Sequence, residues 1–457
     1  MASTGLERRL GSWLSVHIFA QSGWRVTRSM AATFVLIGIA IAGRAVWLYL
    51  RTANGSSGEA FNVARAVAMG KGLADAYQIG QGPTAHLLPI SPAFGGLVYA
   101  TFGVNSPASE FVLASCALAC MGSTYLLLFQ AFGRLGVPGY GRLGSLAFLA
   151  IAPTYWAQES VDFRLWEGGV AAFLSAFFLN RLLKIANSDS IEDGALVCLA
   201  GSLATLFFVN PPLGLAALAS AGVFALFVLN LKQKLLFFGT SVAVVACFVV
   251  PWSARNLINL GEPILLRSNG GLELAIANHP AASTSQERGS VFKNRLTEIH
   301  PAQSRDAFKQ MQEMGGEVAY SKFMGARAWA WMSANRVQTA KLMLRHIWQL
   351  FMPEPWQFGT FGTGRATRLR AALASIAGVL GLLGLAFGCA LSGRLWIYPS
   401  VMIGVLAGAT CLFQPVPRYT YLVYPILAYA AGFAALSLAK LSARLIKRRS
   451  LSLQRNA

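Results

Sequence analysis

Acidic side chains are scarce beside the apolar stretches of this sequence, so each one found there is a candidate for chemistry. Glu59 and Asp75 lie between the first two stretches, and Glu159, Asp162 and Glu167 follow the third. A carboxylate that begins an apolar helix, as Glu167 does, is costly and usually functional, although the helix dipole by itself also favours a negative charge there. Carboxylates can take a proton from an attacking hydroxyl group. Glu167 is therefore a predicted catalytic residue, while composition alone leaves the role of Glu59 open.

Arginines near aromatic residues form a second group. Arg255 follows Trp252, Arg418 precedes Tyr419, and Arg267 begins the sequence Arg-Ser-Asn-Gly-Gly. A guanidinium group binds phosphate through two parallel hydrogen bonds. A single arginine at a membrane edge is equally well explained as an anchor for lipid headgroups. A phosphate site at Arg255, Arg267 and Arg418 therefore requires that the three converge.

Many catalytic signatures are missing from the sequence. It contains no GxxxxGK[ST], HExxH, GxSxG or DxD motif, so no nucleotide machinery is predicted and the energy must arrive with the substrate. Of the five histidines, only His86, in Gly-Pro-Thr-Ala-His, is a candidate substrate ligand. No metal ligands or cofactors are assigned; Glu59 and Glu167 could share a divalent metal, but no ligand pattern requires one. The six cysteines lie in apolar stretches, which predicts neither disulfides nor a zinc site.

The composition identifies a membrane protein. Of 457 residues, 55% are hydrophobic and only 12% are charged, against about 25% charged in soluble domains. This excludes both a soluble fold and a disordered chain. The net charge of +20 comes from 38 basic and 18 acidic residues. An anionic membrane surface and a phosphate-bearing substrate explain this charge better than nucleic acid does.

Ten apolar stretches are candidate membrane spans, since about twenty residues are needed to cross a bilayer. They lie near residues 30–50, 107–131, 143–157, 167–183, 194–210, 212–230, 235–252, 369–391, 395–413 and 419–438. Basic residues in alternate short loops place the N-terminus and the basic C-terminal tail in the cytoplasm. The first span is predicted to remain uncleaved.

Two segments do not fit as spans. Residues 51–106, the first loop, combine polar residues with apolar ones at helical spacing, which predicts short amphipathic helices along the outer interface. Residues 254–368, the loop domain, hold many of the remaining charges and form a predicted small extracytoplasmic domain. The predicted fold is thus an all-α polytopic membrane protein with an N-terminal transmembrane module (1–253), the loop domain, and C-terminal helices with a basic tail (369–457).

Several of these segments also match a known family. They are Glu59–Leu73 (EAFNVARAVAMGKGL), Gly82–Pro89 (GPTAHLLP), Phe102-Gly103, Pro251–Asn256 (PWSARN) and Pro263–Leu274 (PILLRSNGGLEL). The first-loop segments resemble bacterial GT-C glycosyltransferases, which include protein O-mannosyltransferases and the lipid A aminoarabinose transferase. The later segments resemble bacterial members similar to dolichyl-phosphate-mannose mannosyltransferases. Two shorter segments, Trp166-Glu167 and Arg418-Tyr419, also resemble segments of these proteins.

The resemblance implies an enzyme of the bacterial cytoplasmic (inner) membrane with its active site on the extracytoplasmic side. Such enzymes move a sugar from a polyprenyl (undecaprenyl) phosphate carrier to a lipid, polysaccharide or protein acceptor, here by an inverting displacement. Glu59 matches the first-loop acidic residue of the family and would be the general base. The sequence departs from the commoner Asp or Asp-Glu pair, since Gly58 precedes Glu59. Asn256, in the Pro-Trp segment, is a second candidate substrate ligand beside His86.

A transporter or flippase of a lipid-linked saccharide is the alternative. Such a protein would show paired half-helices and charges at the membrane midplane. Arg44 is the clearest charge within a predicted span, and no two-fold hydropathy repeat is visible. A non-catalytic envelope-assembly protein is a third hypothesis, and it would not need Glu59.

Overall fold

The computed structural model describes residues 22–51, 58–361 and 364–455, which form α-helices and no β-strand. The N-terminal half contains α1 (Ser22–Arg51), α2 (Glu59–Ala68), α3 (Ile90–Phe102), α4 (Pro107–Arg134), α5 (Gly139–Ile151), α6 (Trp156–Ser160), α7 (Gly168–Ala186), α8 (Asp193–Val209), α9 (Pro211–Val228) and α10 (Leu231–Leu260). The C-terminal half contains α11 (Gly270–Ala277), α12 (Pro280–Thr284), α13 (Arg288–Ile299), α14 (Arg305–Glu313), α15 (Glu317–Ala334), α16 (Arg336–Phe351), α17 (Arg365–Leu391), α18 (Ile397–Thr410), α19 (Pro417–Thr420) and α20 (Tyr424–Arg455). Short 3₁₀ helices lie at Asp162–Arg164, Pro355–Phe361 and Arg394–Trp396.

Seven of the described helices are long and apolar enough to cross a membrane: α1, α4, α7, α9, α10, α17 and α20. The prediction of an all-α polytopic membrane protein is confirmed. Three of the ten predicted spans are shorter helices, namely α5 with 13 residues, α8 with 17 and α18 with 14. At about 1.5 Å per residue, none of these three covers the roughly 30 Å hydrocarbon core by itself.

Small residues allow the C-terminal helices to pack closely. A Cβ atom on Gly384 of α17 would lie 2.0 Å from the carbonyl oxygen of Ala430 in α20, and one on Gly381 would lie 2.7 Å from that of Leu427. Lipid offers no hydrophobic drive for helix association, so contact between backbones at small residues contributes much of the packing energy.

The first loop forms helices, as predicted. α2 buries Ala60, Val63 and Ala64 in a small apolar core that also holds Tyr99 of α3. Between the two helices the chain folds back on itself, with the Thr84 N–H donating to the Leu73 carbonyl at 3.0 Å. This returning segment contains His86.

The loop domain has an apolar core of its own, built from α11, α13, α14 and α15. Its predicted start at residue 254 lies inside α10, which continues through Pro251 to Leu260. Tyr77 of the first loop is buried in this core beside Leu272 and Tyr320. The first loop and the loop domain therefore pack as neighbours.

A buried ion pair joins α1 to the short helix α6. Arg44 Nε donates to Glu159 Oε2 at 2.7 Å, and both side chains are almost completely buried. The Tyr125 hydroxyl also donates to Glu159. The remaining donors of Arg44 reach the carbonyls of Leu149 and Ala150 at 2.8 and 2.9 Å. Arg44, the charge predicted within a span, is thus fully paired.

Breaking this pair from one side should destabilise the protein. In Arg44→Met the Glu159 carboxylate loses its counter-ion in a buried environment, which typically costs about 3–5 kcal/mol. We expect a lower midpoint of denaturant unfolding in detergent micelles. The double variant Arg44→Met/Glu159→Met should recover part of the loss, because no unpaired charge remains. A single variant as stable as the wild type would contradict the structural role of the pair.

Candidate active site

Glu59 is the first residue of α2 and is mostly buried, with 17% of its side chain exposed. Gly58 enters the helix with a φ of 95°, a conformation that glycine adopts readily and other residues rarely do. The helix N-terminus favours a negative charge at Glu59. Its Oε1 lies 3.8 Å from Nε2 of His300.

His300 belongs to the loop domain and follows α13. Its Nδ1 accepts the N–H of Ala302 at 3.2 Å, so the neutral ring carries its proton on Nε2, the nitrogen that faces Glu59. The ring of Tyr77 packs edge-on against His300 at 5.6 Å and against His86 at 4.8 Å. The structure therefore places a proton donor from a distant part of the chain beside the predicted base.

His86 is buried in the same cluster. Burial lowers its pKa well below the usual range, and the charges of Arg267 and Arg418 and the ring of His300 lower it further. The ring is thus neutral at neutral pH. Its buried Nδ1 has no hydrogen-bond partner within the described residues. An unpaired buried polar atom is costly, which favours a ligand contact at this position.

Arg267 and Glu167 form an ion pair, with Nη2 2.5 Å from Oε1. Burial alone would raise the pKa of Glu167, but Arg267 and then Arg418 bring it below the usual range. Glu167 is therefore ionised and orients Arg267, so it is a weaker candidate for a base than Glu59. The buried Nε of Arg267 has no partner among the residues that the structure describes.

Arg418 lies between α18 and α20 with its guanidinium 3.9 Å above the ring of Trp166. Burial disfavours its charge, but acidic groups around it more than compensate and raise its pKa; they are Tyr419, Glu59, Asp162 and Glu167. In the described ranges, no hydrogen bond or ion pair uses the Arg418 guanidinium, so its donors face a small cavity that Trp166, Glu167 and Asn210 also line. Such a group is free to bind an anion.

The side chains of Arg255 and Asn256 do not join this cluster and instead donate hydrogen bonds to backbone carbonyl groups. Arg255 donates from Nη1 to the Thr84 carbonyl at 2.8 Å and from Nη2 to the Leu73 carbonyl at 2.5 Å. Asn256 is fully buried, accepts from Arg255 and donates to the Ile264 carbonyl at 2.8 Å. These contacts argue against a direct role for either residue in binding phosphate or substrate. Both instead position the first loop and the segment after α10.

Glu317, the first residue of α15, was not singled out by its sequence context. Its carboxylate is buried and accepts four hydrogen bonds, from Ala85 N–H at 2.6 Å, Thr84 Oγ1 at 2.6 Å, Gln81 Nε2 at 2.8 Å and Ser268 Oγ at 2.8 Å. Among these donors, Ala85 precedes His86 in the chain and Ser268 follows Arg267. Glu317 thus joins the two segments that supply these site residues.

The described residues do not suit a metal site. Among them, no three His, Cys, Asp or Glu side chains come together as possible ligands, and Glu167 is paired with Arg267 instead of facing a shared ion with Glu59.

Comparison with solved structures identifies the fold. The oligosaccharyltransferase of Archaeoglobus fulgidus, in its apo form, aligns over 94% of this chain with a TM-score of 0.53 and 14% identity. The complex of that enzyme, AglB, with an inhibitory peptide and a dolichol-phosphate aligns over 94% with a TM-score of 0.51 and 14% identity. The chain shares its fold with this oligosaccharyltransferase.

The chain spans about half the length of those neighbours, 53% of the first and 52% of the second. ArnT from Cupriavidus metallidurans also aligns, over 91% of this chain and 78% of its own, at 14% identity and a TM-score of 0.35, which is too low to support an argument. No family model and no curated protein matches the sequence.

Loss of the Glu317 carboxylate should loosen the first loop. In Glu317→Gln the amide N–H₂ would face one N–H donor and one hydroxyl group, so at least one hydrogen bond is lost and an N–H of the buried site is left mismatched. We expect trypsin to cleave after the exposed Lys71 roughly tenfold faster than in the wild type. Glu313→Gln, at an exposed carboxylate on α14, is the matched control. Equal cleavage rates in both variants would refute the role of Glu317.

Proposed function

We propose that this protein is a glycosyltransferase that moves a sugar from a polyprenyl phosphate carrier, undecaprenyl phosphate in bacteria, to a hydroxyl group of an acceptor on the extracytoplasmic side of the cytoplasmic membrane. The observation that carries the proposal is the cluster of one helix-terminal carboxylate, Glu59, with two arginines that have unpaired donors, Arg267 and Arg418. The acceptor is a lipid, a polysaccharide or a protein. The shared fold with AglB, whose solved complex contains a dolichol-phosphate, supports the same reading.

The reaction is a single displacement at the anomeric carbon. The acceptor oxygen forms a bond to that carbon while the bond to the phosphate oxygen breaks, and the configuration inverts. Glu59 takes the acceptor proton. The electron pair of the broken bond leaves with the polyprenyl phosphate, whose growing charge is stabilised by Arg418 and Arg267 in a site with little water. His86, neutral and with a free nitrogen, contacts the substrate.

The alternative, a flippase, receives less support. The flippase hypothesis requires a charge at the membrane midplane that can contact the substrate. Arg44 is instead paired with Glu159 and with backbone carbonyls. A paired arginine is a structural element of the bundle, so the Arg44 guanidinium is not available to a moving headgroup.

Removing the proton acceptor should abolish transfer. We expect Glu59→Gln to lower donor turnover at least about hundredfold, because the amide cannot take a proton. The measurement is loss of label from a panel of undecaprenyl-phosphate monosaccharides in liposomes, including slow transfer to water, with donor binding followed in parallel. Glu262→Gln, at an exposed carboxylate paired with Lys322, is the control. Full activity in Glu59→Gln would remove Glu59 from the mechanism.

His300 should act on the chemical step through Glu59. His300→Phe keeps the ring packing against Tyr77 but removes the donor that faces the carboxylate, so we expect kcat to fall about tenfold with KM little changed. His300→Gln restores an N–H and should recover most of the rate. A loss shared by both variants, or one confined to KM, would assign His300 to packing alone.

A further inference from the structure

A second groove lies in the loop domain, apart from the cluster around Glu59. It encloses about 360 Å³ of open space, counting the solvent at its mouth. One wall comes from the end of α11 through the start of α13, and the facing wall comes from α16 and Gln414. Its apolar side chains include Phe292, and its polar ones include Arg288, Arg345, Gln349 and Gln414.

The groove is positively charged. Arg288 and Arg345 both line it, and burial together with the charge of Arg288 lowers the pKa of Arg345. Burial also lowers the pKa values of His279 and His346 to about 4, so both rings are neutral at neutral pH. No acidic residue of the described chain lines the groove. The Glu354 carboxylate pairs with Arg288 and accepts a hydrogen bond from Gln349 at 3.1 Å, so it offsets one of the two positive charges.

Donors in the groove remain unused. The buried Nε of Arg288 has no hydrogen-bond partner within the described residues. Arg345 donates from Nη1 to the Ala282 carbonyl at 2.9 Å, while its Nη2 has no hydrogen bond within the described ranges. A buried donor without an acceptor is costly, and two guanidinium groups beside one carboxylate leave a net positive charge. An anion bound at Arg345 would accept from its unused Nη2 and offset that remaining charge.

Both walls of the groove belong to chain segments that also carry residues of the site around Glu59. Ile276 and Ala277 are at the end of α11, which begins three residues after Arg267. Gln414 donates to Gln349 at 2.9 Å and lies in the segment that leads into α19, which carries Arg418. A chain of sugars bound in this groove would therefore contact the same chain segments that carry Arg267 and Arg418.

We propose that this groove binds an acidic sugar unit of the acceptor, one that bears a carboxylate or a phosphate group. This inference rests on the proposed glycosyltransferase function. Phe292 suits the C–H face of a sugar ring, and the side-chain carbonyl of Gln414 can accept from a sugar hydroxyl, since only its Nε2 is used within the described residues. Arg345 binds the acid through its unused Nη2, and Arg288 adds positive charge beside it.

Binding to the full-length protein in nanodiscs tests the site directly. The probes are p-nitrophenyl β-glucuronide, glucose 6-phosphate and the neutral p-nitrophenyl β-glucoside. We expect at least one acidic probe to bind about tenfold more tightly than the glucoside, and the pair shows whether carboxylate or phosphate is preferred. Arg345→Gln and Arg288→Gln should each weaken the acidic probe about tenfold and leave the glucoside unchanged. The control is Arg305→Gln, at an exposed arginine of α14.

Donor turnover separates this inference from the proposed function. Arg345→Gln should leave the slow transfer of sugar from donor to water unchanged, because water does not use the groove. Equal binding of acidic and neutral probes, or equal effects of Arg345→Gln and Arg305→Gln, would overturn the groove proposal even in an active enzyme. Selective acidic binding without turnover of any donor would instead uphold the groove and count against the proposed function.

Discussion

The candidate site depends on a buried carboxylate that must not be left unpaired. Glu317 has little contact with water and is satisfied only when Gln81, Thr84 and Ala85 of the first loop and Ser268 of the loop domain all reach it. A buried carboxylate without its donors bears the full cost of desolvation, so the hydrogen bonds of one side chain hold the two segments together. His86 and Arg267 each lie next to one of these donors in the chain. Their proximity follows from the pairing of Glu317.

The transmembrane bundle obeys a similar constraint. Arg44 cannot remain alone in an apolar environment, and Glu159 on α6 supplies its counter-charge. α6 is followed directly by the 3₁₀ helix that carries Asp162 and then by Glu167. Burial raises the pKa of Asp162 to about 6 although Arg418 opposes the shift, so this carboxylate also depends on its arginine to remain ionised. The ion pair between Arg44 and Glu159 thus fixes the start of the segment that lines the small cavity beside Arg418.

Features that depend on local composition could be predicted from the sequence. The apolar stretches define an all-α membrane protein, and the structure brings Glu59, His86, Glu167, Arg267 and Arg418 into one cluster of contacts and charges. Features that depend on contacts between residues far apart in the chain could not be predicted from the sequence. Neither His300 nor Glu317 has a local pattern, since the partners of both lie in the first loop, and folding alone creates their environments. Helix length was also hard to judge, because the loops that end α5 and α18 are themselves apolar.

Arg255 and Arg418 show why residue type alone does not assign a role. Each lies near a tryptophan, Trp252 and Trp166, and both looked like phosphate ligands. Arg255 donates hydrogen bonds to the carbonyls of Leu73 and Thr84. If Arg255 moved to bind a phosphate, both carbonyl groups would lose their donor. Arg418 has no such contacts within the described chain and is held in place by ring stacking, which leaves every N–H group free. Stacking fixes the position of a guanidinium without using its hydrogen bonds, so an arginine held in this way can bind and release an anionic carrier at little cost to the fold.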